Sequence, residues 1–259
     1  MGARPALADG LAEQLVDDVL SGRYPTDSCL PSETELAQQV GLSRLTVREA
    51  VKKLAAKGVV RVVHGRGTFV NAPSQWSALD PVLFLARSAS DTDNFALPRK
   101  LLEARRVVEV AVAELAAQRR TEADLSRMGG ALERMRTSAA ATDVPGFVAA
   151  DIAFHQHIAD AADNSIIAAL FDPIYQILHL TRHQTSFHAS VRENAIEHHA
   201  RILDAIQRGT PSKAGRAMRD HLQQTERDLD TYVTVSGDEL LGMNAADFRL
   251  AEARRAPQS

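Results

Sequence analysis

From about Leu97 to Val233, apolar residues return every three or four positions in six successive blocks. That spacing is the period of an α-helix burying one stripe. The blocks run "LPRKLLEARRVVEVAVAELAAQR", "TEADLSRMGGALERMRTSAA", residues 145–162, "SIIAALFDPIYQILHLTRHQ", "SVRENAIEHHARILDAIQRG" and "PSKAGRAMRDHLQQTERDLDTYV". Thr121 with Asp124 resembles a capping box, Asn164 reads as a cap between two helices, and Pro173 implies a kink or break. Aromatics are only 5% of the chain, which favours helix over sheet. A helical bundle over residues 96–235 follows, with a polar tail over 236–259.

The chain divides near "NAPSQWSALDP", residues 71–81. Ahead of it, Leu11, Leu15, Val19 and Leu20 mark a first helix that Gly22 stops. Ser32 and Glu35 form a capping box for a second helix ended by Gly41. Ser43 caps a third, with Val47, Val51 and Leu54 as its buried stripe and Gly58 closing it. "VVRVVHGRGTFV" reads as two β-branched strands joined at His64-Gly65-Arg66-Gly67. Three short helices and a two-stranded wing are the order of a winged helix-turn-helix. The expected division is therefore 1–72 for that domain, 73–95 for a linker, 96–235 for the bundle and 236–259 for the tail. The fold class is mostly α.

Net charge is −3, so any nucleic-acid signal must be local. It is local. From Arg44 to Arg66 there are seven basic residues and one acidic one, Glu49, a balance of +6 (7 − 1). Such a stripe on an acidic chain is the footprint of a phosphate-binding surface. Recognition helices read base edges from their N-termini, and here that position holds Ser43, Arg44, Thr46 and Arg48. Lys52, Lys53 and Lys57 lie farther along and are expected to face solvent or backbone. Cys29 is the one cysteine, so there is no disulfide framework, and its plain reading is a small semi-buried residue. The N-terminus has no signal-peptide pattern and no stretch approaches the ~20 apolar residues of a membrane span. A cytoplasmic protein is expected.

These residues resemble the N-terminal domain of GntR-family transcription regulators over roughly residues 8–72. The motifs are L-P-S-E at 30–33, S-R-x-T-V-R-E-A at 43–50, L-x-x-x-G at 54–58 and G-x-G-T-F-V at 65–70. The resemblance implies that Ser43, Arg44, Thr46, Arg48, His64 and Gly65 contact double-stranded operator DNA. Thr34 stands where some members carry Arg, which puts a base contact there in doubt.

The helical blocks carry a second anomaly. Asp151 and His155 sit four residues apart within the stripe of Val144, Phe147, Val148, Ile158 and Ala162. His199, His221 and Arg105 likewise fall on apolar faces of three other helices. A lone core histidine is ordinary; a charged group on a buried face needs a partner. Asp151, His155, His199 and His221 together make a plausible shell for a divalent ion, with zinc first and nickel or manganese as alternatives. Spacing alone leaves their convergence open.

Residues 96–233 also resemble the FCD ligand-binding domain of the FadR-type subfamily. The motifs are E-x-R (Glu103, Arg105), D-x-x-x-H (Asp151, His155), the His199 of "HHARILDAI" and the His221 of "AMRDHL". The resemblance implies that these last four residues bind a metal, that a small carboxylate effector completes its coordination, and that Arg105 helps hold it. Fatty-acyl-CoA-responsive members lack these ligands. Sugar acids or hydroxy acids fit such a pocket, and "NAPSQWSALDPVL" resembles the linker of sugar-acid regulators. Arg182 is a weaker anion contact, with a surface arginine as the plainer reading.

The expectation is a homodimeric repressor released from a palindromic operator by its effector. Two other readings stand beside it. One is a DNA-binding protein whose metal is only a structural staple. The other is a metallohydrolase, which lacks an evident general base, an H-E-x-x-H or a nucleophile motif.

Overall fold

A computed structural model describes residues 3–90 and 96–232. The tail expected over 236–259 and residues 91–95 of the expected linker lie outside these. The chain forms two compact units, residues 1–92 and 93–259. No described helix is long and apolar enough to cross a membrane.

The first unit holds α1 (Ala3–Leu20), α2 (Glu33–Val40), α3 (Arg44–Ala56), β1 (Val60–Val63), β2 (Gly67–Val70) and, after a single 3-10 turn at Pro73–Gln75, α4 (Pro81–Ser90). The caps are those the sequence predicts. The Ser32 and Glu35 side chains close the box that starts α2, and Gly41 ends it in the left-handed region at φ 67°. Ser43 Oγ accepts from the Thr46 amide to start α3. Such a cap contributes about 1 kcal/mol. Leu11, Leu15, Leu36, Val47, Leu54 and Val59 bury together as the core. The wing pairs antiparallel, Val60 against Val70 and Val63 against Gly67, so His64, Gly65 and Arg66 form its tip.

The segment expected to begin the linker is part of this unit instead. Trp76 and Leu83 join its core. The Trp76 indole donates to Asn71 O (3.0 Å), and Asn71 Nδ2 donates to Gly58 O (2.8 Å). Gly58 itself sits at φ 73°, and a Cβ there would come within 2.4 Å of Gln75 O. Only glycine lets the chain turn from α3 into β1 beneath this segment. Cys29 is exposed rather than semi-buried, because its short bridge to Phe69 lies at the edge of the wing.

The second unit is all-helical over its described residues: α5 (Ala96–Arg119), α6 (Glu122–Ala140), α7 (Val144–Ala161), α8 (Ser165–Ser186), α9 (Ala189–Gln207) and α10 (Pro211–Tyr232). Thr121 and Asp124 form a capping box for α6. Asn164 Oδ1 accepts from the amides of Ile166 and Ile167 to start α8. Pro173 does not break α8, which continues to Ser186. Phe147, Phe154, Ile158, Met128, Ile202, Ile206 and Met218 fill the interior. Each of these helices therefore buries an apolar stripe, and the polar residues on those stripes are carried inward with it.

Candidate functional site

Five helices deliver charged or titratable side chains to one place inside the second unit. α7 brings Asp151 and His155, α9 His199, α10 His221, α5 Arg105 with Glu109, and α8 Arg182; all are buried. The four residues predicted as ligands are thus brought together. The rings of His155, His199 and His221 have centroids 4.5–5.2 Å apart, and each offers a nitrogen within 4.8 Å of the others. Asp151 stands at the edge of this trio. Its Oδ1 lies 3.2 Å from His199 Nε2, but Arg182 grips the carboxylate from the other side, Nη2 at 2.8 Å from Oδ1 and Nε at 3.1 Å from Oδ2.

The hydrogen bonds determine which nitrogens are available. His199 Nδ1 lies 2.6 Å from Ala195 O, and a carbonyl only accepts, so Nδ1 carries the proton. His155 Nδ1 lies 2.8 Å from Glu109 Oε2, an ion-pair distance with an off-axis angle. The Nε2 atoms of His155, His199 and His221 are all buried without a hydrogen-bond partner. Three such buried atoms, on rings that each offer a nitrogen within 4.8 Å of the others, are costly unless something binds them. Three imidazoles, with a carboxylate alongside, suit a borderline divalent ion.

The electrostatics favour that reading. Burial pushes the His155 pKa down, an effect the nearby Glu109 only partly offsets. Burial, then His199 and His155, hold His221 well below the usual range. Both are therefore neutral near pH 7, as ligands must be. Burial alone would raise the two carboxyls. Arg182 and His199 overcome it at Asp151, which stays well below its ordinary value, and Arg105 and His155 overcome it at Glu109, which falls to about 2.

Arg105, predicted to hold an anion, is fully buried. It donates from Nε to Glu109 Oε1 (2.5 Å) and from Nη2 to Oε2 (3.4 Å), which leaves Nη1 buried without a partner. Glu103 of the same motif is exposed. Arg182 is not the surface arginine of its plainer reading, since it is buried against Asp151. Glu109 has no place in the predicted set. Its signal was present: it stands four residues after Arg105 on the same helix face, where a buried guanidinium needs a counter-charge.

In the first unit, Ser43, Arg44 and Arg48 are exposed at the start of α3, and His64 and Gly65 are exposed on the wing. Thr46 differs. It is buried, and its hydroxyl bonds that of Ser43 (2.8 Å). Arg48 forks onto Glu33, with Nη2 3.0 Å from Oε2. Lys53 pairs with Asp9, Lys52 with Glu49 and Lys57 with Asp80. Arg44 and Arg66 have no carboxylate partner among the described residues.

A winged helix-turn-helix with a basic third helix, joined in one chain to an all-helical unit, defines a DNA-binding regulator as a class. The comparisons with known proteins agree. Residues 7–70 match the bacterial regulatory proteins of the gntR family, and residues 100–224 match the FCD domain. The HTH-type transcriptional regulator LutR of Bacillus subtilis (strain 168) is 33% identical over 220 residues, 83% of this chain and 97% of its own. The galactonate operon transcriptional repressor of Escherichia coli (strain K12) is 29% identical over 223 residues, 85% of this chain and 96% of its own. The solved structure of Lar, which controls the expression of the Listeria monocytogenes agr system, has a TM-score of 0.57 at 18% identity, over 88% of this chain and 96% of its own, a likeness of fold alone. The chain belongs to the GntR family of transcription regulators, with an FCD domain, and its relatives are regulators rather than enzymes. The hydrolase reading ends there.

Proposed function

We propose that this regulator is a cytoplasmic repressor that binds palindromic operator DNA as a homodimer. Its effector is a small carboxylate, a sugar acid or hydroxy acid, taken up at a metal site in the helical unit. Residues 1–72, with the segment 73–90 packed onto them, serve DNA, and the helical unit from residue 96 serves sensing and dimerisation. The observation that carries the reading is the meeting of three partnerless histidine Nε2 atoms with two buried arginines.

His155, His199 and His221 hold the ion through Nε2, and Asp151 adds a carboxylate oxygen. Zinc suits this donor set best, with nickel or manganese also compatible. When bound, the ion supplies an electrophilic centre for a carboxylate and its adjacent hydroxyl. Arg105 offers its unpaired Nη1 to the same anion. Arg182 ties α8 to α7 through Asp151, so an arriving anion competes with Asp151 for that guanidinium. That competition gives the acid a differential hold on two arrangements of the bundle, which any effector needs. On the DNA side, Arg44 and Arg48 read base edges or phosphates, Ser43 and Thr46 set the start of the recognition helix, and His64 and Gly65 bring the wing tip to the backbone. The name of the galactonate operon repressor supports a sugar-acid input.

The test selects duplexes from a random library with the zinc-loaded protein, then follows their binding by fluorescence anisotropy while acids are added. Galactonate, gluconate or a related hydroxy acid should weaken binding at least tenfold. An operator affinity that no acid changes would leave the metal as a structural staple and end the sensor reading.

A further inference from the structure

Glu109 is a buried carboxylate that faces two functional groups at once. Its Oε1 and Oε2 take Nε and Nη2 of Arg105, and Oε2 also lies 2.8 Å from His155 Nδ1. We propose that Glu109 is the positioning residue of the pocket, fixing the tautomer of His155 and aiming the remaining nitrogen of Arg105. This inference rests on the metal-site reading above and assigns a role within it.

The argument is one of donors and acceptors. An ionised carboxylate only accepts, so the nitrogen facing it must carry the imidazole proton. That nitrogen is Nδ1, and the lone pair of His155 is then confined to Nε2, which is buried without a partner like the Nε2 atoms of His199 and His221. A second histidine shows the same economy of roles. His199 has its Nδ1 committed to Ala195 O, which confines its lone pair to Nε2 as well. A backbone carbonyl does for His199 what Glu109 does for His155. Carboxylate partners of this kind orient ligating imidazoles and raise their basicity.

The same residue settles Arg105. With Nε and one N–H of Nη2 on Glu109, Nη1 is the nitrogen left without any partner for an anion to take. Arg105 and Glu109 are one helical turn apart on α5, so the pair is rigid before any ligand arrives. One carboxylate thereby links the histidine that holds the ion to the arginine that holds the acid.

The test measures Zn²⁺ affinity by competition with a chromophoric chelator, and the His155 tautomer by imidazole ¹⁵N shifts of the metal-free protein at pH 7.5. Two variants are compared with the native protein. Glu109→Gln keeps the shape, but its amide can turn either face to Nδ1 and no longer dictates the tautomer. Arg105→Met/Glu109→Met removes the buried charges together, so neither is left alone and the fold is kept if the single variant unfolds. Both variants should bind Zn²⁺ about 10- to 100-fold more weakly, and the His155 shifts should move from a pure Nδ1–H form to a mixture. Native affinity and unchanged shifts in both would overturn the proposal while leaving the metal site standing. A native protein that binds no Zn²⁺ would remove the metal-site reading and this inference with it.

Discussion

Two ion pairs, one in each unit, hold charge in opposite ways. In the first, Arg48 and Glu33 meet on the surface, their side chains 52% and 31% exposed. In the second, Arg105 and Glu109 meet at 0% and 4%. An exposed pair is screened by water and contributes about 0–1 kcal/mol, so its arginine can exchange a carboxylate for a phosphate at small cost. A buried pair has no water to fall back on, and removing one partner leaves the other stranded. The exposed pair of the first unit can thus change partners, and the buried pair of the second is held to the one it has.

The sharpest break in this comparison is Arg105→Ala. Urea unfolding should show a loss of about 3–5 kcal/mol as Glu109 is left unpaired in the interior. A loss under 1 kcal/mol would mean that the pair is hydrated in solution. Next in size is Arg44→Ala, which should cost selected operator DNA about 1–3 kcal/mol of affinity without shifting the thermal midpoint. An equal loss on every sequence would demote Arg44 to a phosphate contact.

A pH titration of the metal-free protein separates the units again. His155 and His221 are held below their ordinary values by burial, so the unfolded chain binds protons that the folded chain refuses. Stability should be level above pH about 6.5 and fall as the pH drops below it. Zinc should offset that fall, because it holds the same nitrogens neutral. A midpoint that stays level from pH 7.5 to 5.5 would contradict the buried, neutral histidines. Smallest of all is Glu33→Gln, which should change stability by less than about 1 kcal/mol. By releasing Arg48 it should tighten operator binding slightly at low salt. A large loss of stability would show that the fork onto Glu33 builds the fold rather than awaiting DNA.

Most of the architecture was legible because it depends on local rules. Caps at Ser32, Ser43, Thr121 and Asn164 and stops at Gly22 and Gly41 mark helices whatever lies around them. The ligand candidates were legible for a related reason: Asp151, His155, His199 and His221 each break an apolar stripe, and the break is visible within one helix. What stayed hidden is what depends on contacts between helices. Arg182 looks like a surface residue until α7 supplies Asp151. Thr46 looks exposed at the start of the recognition helix until its hydroxyl is seen bonded to that of Ser43. Pro173 reads as a kink or a break, yet α8 runs on past it to Ser186. Trp76 sits in a stretch that reads as a linker, and only Asn71 and Gly58 show why it is fastened to the first unit.

The most direct test of the account is isothermal titration of sugar acids and hydroxy acids into three samples: zinc-loaded protein, chelator-stripped protein and His199→Ala. The account predicts that an acid binds the loaded protein and that its heat disappears in the other two. An acid that binds all three alike would place the sensor somewhere other than the histidine cluster, and heat from none of them in a metal-loaded protein would make the ion a staple.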